Sequence, residues 1–205
     1  MDQDQIKKGT TTVGLVCKDG VVLAADSRAA MGNLIANKTI KKVLPITDRI
    51  LLTIAGAAGD GQMLVRFLAN EMKSYEITKK KKPSIKACAS LLSQILFSGR
   101  MSFIPYYVQL ILAGYDDKGP SLITLDAGGS IIEDDYASTG SGSPVAYGVL
   151  QDAYKKGLSL DEGIKLAARA VSTAIQRDVF TGEEVNVYTV TEKGIKQAPA
   201  EKIKA

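Results

Sequence analysis

The sequence predicts an α+β domain built as a four-layer αββα sandwich, and three observations predict it. Strand-like and helix-like segments come in blocks: strands, two helices, strands, two helices, and a last strand. Continuous apolar runs at Val21 to Ala25 and Ile50 to Ile54 mark strands covered on both faces. The 205 residues are 45% hydrophobic and carry no repeat or internal linker, which suits one compact body with a sizeable core. Two sheets face to face, with a helix pair outside each, satisfy all three.

Each element has its own signal. A strand-like pattern runs from Thr10 to Cys17, and Lys18-Asp19-Gly20 turns it into Val21–Ala25. That strand stops at Asp26-Ser27-Arg28, where a carboxylate stands either as a turn cap or as a functional group. Gly32-Asn33 is a turn, with a short strand around Leu34 to Ala36. Lys38, Lys41 and Lys42 lead into Val43-Leu44-Pro45-Ile46, and Thr47-Asp48-Arg49 turns the chain into Ile50–Ile54. Residues 62–77 have helical spacing, with Leu64, Phe67, Leu68, Met72 and Tyr75 along one side. Lys79 to Pro83 is a solvated loop, and Ser84 caps a second helix that ends at Gly99. Tyr107–Ala113, Ser121–Leu125 and Ile131–Ala137 read as three strands. Ser143-Pro144 opens a third helix as N-cap and N1, with Gly157 as its stop. Ser159 and Glu162 form a capping box for a fourth, which ends near Gln176-Arg177-Asp178. Val185 to Val190 is the last strand.

Composition removes several classes of function. The chain has no histidine, so Ser-His-Asp and Cys-His catalysis within it are excluded and the commonest zinc ligand is missing. No metal site and no cofactor are expected. The net charge of +4 is modest and no aromatic-basic alternation accompanies it, so nucleic acid is not an expected partner. Cys17 and Cys88 each lie in apolar surroundings and read as buried, reduced thiols. No apolar run reaches the length of a membrane span, and Met1 to Lys8 is too polar for a secretory signal. A cytoplasmic protein is the expectation.

The stretch Lys8-Gly9-Thr10-Thr11-Thr12-Val13-Gly14-Leu15 carries the chemical interest. Its β-branched threonines can simply open a strand. Alternatively, cleavage after Gly9 exposes Thr10 with a nucleophilic hydroxyl and a basic amine on one residue. A hydrolase without histidine needs another base, and an amine can serve.

The segments Gly9-Thr10-Thr11-Thr12-Val13-Gly14, Ala24-Ala25-Asp26-Ser27-Arg28, Lys41-Lys42, Ile54-Ala55-Gly56, Ser138-Thr139-Gly140-Ser141-Gly142-Ser143-Pro144 and Gln176-Arg177-Asp178 together resemble the proteasome β-subunit family, archaeal type. That family belongs to the N-terminal-nucleophile hydrolases. The resemblance covers about Thr10 to Val190 in order and spacing. It implies a propeptide of residues 1–9 and a single catalytic domain over residues 10–205. It also implies threonine proteolysis of polypeptide substrates in a closed chamber of stacked seven-membered rings. The implied partners are other β subunits, an α-subunit ring and a regulatory ATPase that unfolds substrates.

The resemblance also implies roles. Thr10 is the nucleophile and Lys42 lies beside its Oγ, with Asp26 holding and polarising Lys42. Ser141 and Asp178 hydrogen-bond around the threonine amine, and the backbone N–H of Gly56 stabilises the oxyanion. Either Lys42 or the freed amine of Thr10 is the base. The first substrate pocket is lined by Ala29, Ile40, Leu44, Ile54, Ala58 and Gln62. Propeptide cleavage falls between Gly9 and Thr10. Thr181 stands where relatives often carry serine. An unprocessed, catalytically silent structural β subunit of a mixed ring is the alternative.

Overall fold

The computed structural model describes residues 9–100 and 102–199. Residues 1–8 of the expected leader lie outside the described residues; only Gly9 of it is described. The first sheet has the order β10-β1-β2-β11-β12: β1 is Thr12–Cys17, β2 Gly20–Asp26, β10 Tyr136–Thr139, β11 Val185–Thr191 and β12 Gly194–Gln197. The second has the order β5-β6-β7-β8-β9: β5 is Val43–Pro45, β6 Ile50–Gly56, β7 Val108–Asp116, β8 Gly119–Asp126 and β9 Ile131–Glu133. All pairings are antiparallel. A separate hairpin joins β3, Ala29–Met31, to β4, Leu34–Asn37.

Four layers result, because each sheet is apolar on both faces. Helices α1 (Ala58–Lys79) and α2 (Ile85–Gly99) bury Leu64, Leu68, Leu92 and Leu96 against Leu52, Leu110 and Ile123 of the second sheet. Helices α3 (Ser143–Ala153) and α4 (Leu160–Ile175) bury Ala146, Leu150, Ala167 and Val171 against Val13, Leu15, Val22 and Val187 of the first. Between the sheets lie Val21, Leu23, Leu51, Ile111, Ala113 and Leu122. The period of two explains the division: in β6, Ile50, Leu52 and Ile54 face the helices while Leu51 faces the opposite sheet.

The predicted αββα sandwich is therefore the observed fold, and four local expectations shift. Helix α1 starts at Ala58 rather than 62, carrying Gly59 and Gly61 inside its first turns. A Cβ on Gly61 would stand 2.2 Å from Ile54 Cγ2, so glycine there permits close helix–sheet approach. The buried stripe of α1 is Gly61, Leu64, Val65, Leu68 and Met72, while Phe67 and Tyr75 face outward. The run Ile131–Ala137 is two strands, not one. It breaks at Asp134-Asp135, where the chain leaves the second sheet for the edge of the first. Helix α3 begins at Ser143 with Gly142 in the N-cap position, and it ends at Ala153, before Gly157. Strands β3 and β12 had no clear signal, being short and without a buried residue. The capping box of Ser159 and Glu162 forms as expected.

Both cysteines are buried, and burial pushes the thiols of Cys17 and Cys88 up to about 12. Among the described residues no helix is long and apolar enough to cross a membrane.

Candidate active site

The site lies at one end of the sandwich, where the segment before β1 meets the end of β2 and the start of β5. Asp26 closes β2 with its carboxylate fully out of solvent. Oδ1 accepts from Thr11 N at 2.9 Å and from Lys42 Nζ at 2.7 Å. Oδ2 accepts from Arg28 N at 3.1 Å and from Gly182 N at 3.0 Å. A buried carboxylate is tolerable only when paired and hydrogen-bonded, and four donors meet that condition.

Lys42 is the cationic partner, with 6% of its side chain exposed. Loss of water lowers its pKa from the ordinary lysine value, and Asp26 acts in the opposite direction. Its backbone carbonyl accepts from Ile54 N of β6 at 2.9 Å, which ties the lysine to the second sheet. Its Nζ also reaches the carbonyl oxygen of Gly9 at 3.4 Å. Thr10 Oγ1 donates to that same oxygen at 2.6 Å.

A second group closes on Thr10 from the other side. Thr10 N donates to Ser141 Oγ at 3.2 Å, and Ser141 Oγ donates to Asp178 Oδ2 at 2.5 Å. Thr181 Oγ1 donates to the same carboxylate oxygen at 2.5 Å and lies 2.8 Å from Thr11 Oγ1. The loop holding Ser141 approaches Thr10 closely. Gly140 has φ +94°, and a Cβ on it would stand 2.1 Å from the Thr10 carbonyl oxygen. Glycine is required there on both counts. The hydroxyl at Thr181 makes the bonds that a serine would make.

Thr10, Asp26, Lys42, Ser141 and Asp178, spread over most of the sequence, are thus joined in one hydrogen-bonded cluster. Gly56, at the end of β6 with φ +106°, lines a pocket of about 220 Å³ together with Gly9, Thr10 and Lys42. Ala29, Ile40, Ile54, Ala58 and Gln62 line it as well. Leu44 does not; it lies in β5 and packs against the core between the second sheet and α1–α2. It stands two residues further along the chain than Lys42, past the pocket, although it faces the same helix layer as Ile54. The sequence reading missed Met31, Ala36, Arg28 and Lys41, which also line the pocket. Met31 and Ala36 come from the β3–β4 hairpin, of which the turn at Gly32-Asn33 and the strand around Leu34 to Ala36 were expected but β3 was not. Among the described residues no cluster of three or more histidine, cysteine, aspartate or glutamate side chains could hold a metal ion.

The sandwich is the N-terminal-nucleophile hydrolase fold, and the family and relatives that the chain matches make it a threonine peptidase. It belongs to the proteasome family, whose model, described as Proteasome subunit, matches residues 6–190. Three relatives, each named Proteasome subunit beta, show the same. The protein of Archaeoglobus profundus is 50% identical over 202 residues, covering 98% of this chain and 93% of its own length. That of Methanopyrus kandleri is 50% identical over 201 residues, covering 98% and 96%. That of Ferroglobus placidus is 48% identical over 206 residues, covering 100% and 97%. The chain is accordingly a proteasome subunit that assembles with other proteasome subunits.

Proposed function

We propose that this chain is the peptidase subunit of a proteasome core particle and removes its own residues 1–9 before acting on substrates. The observation that carries the reading is the pair of contacts at the Gly9 carbonyl: Thr10 Oγ1 at 2.6 Å and Lys42 Nζ at 3.4 Å. Nucleophile and amine both meet the carbonyl of the bond to be cut.

In leader removal, Thr10 Oγ attacks the Gly9 carbonyl carbon and its proton passes to Lys42 Nζ in the neutral form. The carbonyl oxygen becomes an oxyanion, which the resulting Lys42 ammonium stabilises. Collapse breaks the Gly9–Thr10 C–N bond, and the Thr10 nitrogen takes the proton back from the Lys42 ammonium as it leaves. The acyl group of Gly9 is then an ester on Thr10 Oγ. Water hydrolyses it, releasing the leader as a carboxylate and Thr10 as a free N-terminal residue. The mature domain is residues 10–205.

Peptide hydrolysis repeats the sequence on a substrate carbonyl. Asp26 holds Lys42, and the backbone N–H of Gly56 receives the substrate oxyanion. Ser141, Asp178 and Thr181 orient the freed Thr10 amine. The pocket of Ala29, Ile40, Ile54, Ala58 and Gln62 takes the side chain before the cut. No cofactor is needed for these steps. In the assembly we place this chain in a seven-membered β ring beside an α-subunit ring, in the cytoplasm. A regulatory ATPase feeds unfolded polypeptides into the closed chamber.

Intact-mass measurement of the purified assembly, paired with peptide turnover, tests the proposal. The expected mature chain begins at Thr10 and is active. A fully active particle whose chains all keep residues 1–9 overturns it.

A further inference from the structure

The layer between the two sheets is apolar over most of its area, and polar side chains bridge it near the catalytic end. Leu51, Ile111, Ala113, Leu122 and Leu23 form the apolar part. Two residues beyond Leu51 in β6 stands Thr53, and two residues before Ile111 in β7 stands Gln109. The strand period keeps each on the face that meets the first sheet. Both cross to it by hydrogen bonds.

Thr53 Oγ1 lies 3.2 Å from Thr12 Oγ1 of β1, which lies 2.6 Å from Thr139 Oγ1 of β10. Thr53 Oγ1 also accepts from Ile111 N at 3.1 Å. The three hydroxyls thus form one chain of hydrogen bonds that runs from β6 to β10 through Thr12. Thr12 and Thr53 are both 0% exposed. Gln109 makes the second crossing, its Oε1 accepting from Gly140 N at 3.0 Å.

These two ties sit where the site is divided between sheets. Asp26 ends β2 of the first sheet and Thr10 lies two residues before β1, with Ser141 in the loop after β10. Lys42 is bound through its carbonyl to Ile54 of β6, and Gly56 ends that strand. The offset of one sheet on the other therefore sets how far Lys42 and Gly56 stand from Thr10. Apolar contact is non-directional and does not fix such an offset, whereas hydrogen bonds do. Thr12 is two residues from Thr10, and Thr53 adjoins Ile54. Gln109 pairs with Ala55, next to Gly56, and reaches Gly140, next to Ser141.

We propose that Thr53 and Gln109 are positioning residues for threonine proteolysis: their side chains tie the lysine-bearing sheet to the nucleophile-bearing sheet. This rests on the assignment of Thr10 and Lys42 above. A displacement of about 1 Å at reacting groups can cost a hundredfold in rate, so the ties act on kcat.

The test uses assembled particles carrying Gln109→Met, Gln109→Glu, Thr53→Val or Thr53→Ser, with Thr10→Ala as the control for the nucleophile. Peptide kcat and KM and the thermal stability of the particle are measured for each. The expected result is a loss of about tenfold or more in kcat for Gln109→Met and Thr53→Val, with KM within about twofold of wild type. Gln109→Glu keeps an acceptor for Gly140 N and Thr53→Ser keeps the hydroxyl, so both recover most of the rate. Gln109 is exposed, so its pair of variants decides alone if Thr53→Val fails to assemble. Wild-type kcat in Gln109→Met and every assembled Thr53→Val particle overturns the proposal, whatever happens to stability. So do Glu and Ser variants as impaired as Met and Val. If Thr10→Ala is also active, the nucleophile assignment itself fails, which separates the two results.

Discussion

A Cβ placed on Gly9 would lie 1.6 Å from Cβ of Phe180 and 2.6 and 2.7 Å from its Cα and carbonyl carbon. Two of the three obstacles are backbone, which cannot swing aside as a side-chain tip can. The wall lies in the short connection between Asp178 and Thr181, both bonded around Thr10. Gly9→Ala is therefore expected to push the Gly9 carbonyl away from Thr10 Oγ and to slow leader removal at least about tenfold. Intact mass followed over time after synthesis measures this. Chains produced with Thr10 already at the terminus should hydrolyse peptides normally. Unchanged processing of the alanine variant would show that the wall yields.

Thr10→Ala should abolish both peptide hydrolysis and leader removal while leaving assembly intact. Removing one member of a nucleophilic unit costs several orders of magnitude in rate. Thr10→Ser keeps an Oγ and should retain measurable activity in both assays. Normal turnover by purified Thr10→Ala particles would refute the nucleophile.

Asp26 and Lys42 are expected to act as one unit. Asp26→Asn turns an amide N–H₂ towards a site built entirely of donors: Thr11 N, Arg28 N, Gly182 N and Lys42 Nζ. Lys42→Ala leaves the Asp26 charge buried without its cation. Each single variant should lose at least about a hundredfold in kcat, and the double variant should lose little more than the worse single one. A double penalty equal to the sum in free energy would mean that Asp26 does not work through Lys42.

The parts of the molecule legible in sequence are those with local signals. The paired apolar runs at Val21–Ala25 and Ile50–Ile54 carry a burial pattern, and Ser159 with Glu162 carries a capping pattern, so sheets and helices could be placed in order. Asp26 was conspicuous as a carboxylate ending a buried strand, and Thr10 as a hydroxyl behind glycine in a chain without histidine. What the sequence hides is side-chain direction across space. Nothing local distinguishes Leu44, which packs towards α1, from Ile54, which both packs there and lines the pocket. Met31 belongs to an exposed hairpin with no buried face to advertise it. Thr53 and Gln109 look like ordinary strand residues, and only the packing of one sheet on the other gives them partners.

The identity of the base can be read from pH dependence and from arginine substitution. In the precursor, Thr10 nitrogen is an amide and cannot serve as a base, so leader removal falls to Lys42. Desolvation sets its pKa below the ordinary 10.5. Between the lowered folded value and 10.5 the unfolded chain holds a proton that the folded chain has released. The contribution of Lys42 to stability therefore rises with pH across that window and is lost as pH falls through the folded value. The neutral amine is likewise available at lower pH than on an exposed lysine, so leader removal should speed up as pH rises and level off below 10.5. Lys42→Arg keeps the charge and cannot be deprotonated. It should block processing as fully as Lys42→Ala, as measured by intact mass across pH. Normal processing by the arginine variant would assign Lys42 an electrostatic role alone.

Cleavage specificity follows from the pocket beside Thr10. Its walls include Ala29, Met31, Ala36, Ile40, Ile54 and Ala58, and its charged groups, Arg28, Lys41 and Lys42, are all cationic. Full burial of a leucine side chain there gains about 1.5–3 kcal/mol, which is roughly tenfold to a hundredfold in kcat/KM over glycine if it is realised in the transition state. Arginine would be desolvated and would face Lys41 with no opposite charge in the lining, Arg28 and Lys42 being already paired with Glu183 and Asp26, so it should be the poorest residue. Glutamate is desolvated too, but the cations offset part of that cost, which places it between the two. The expected order is leucine, then glutamate, then arginine. Ile54 contributes a β-branched side chain to the pocket, so phenylalanine should fall below leucine while staying above arginine. Measuring kcat/KM on short peptides that differ only at the residue before the cut tests the order. An arginine substrate cleaved better than its leucine counterpart would mean that this pocket does not receive that residue.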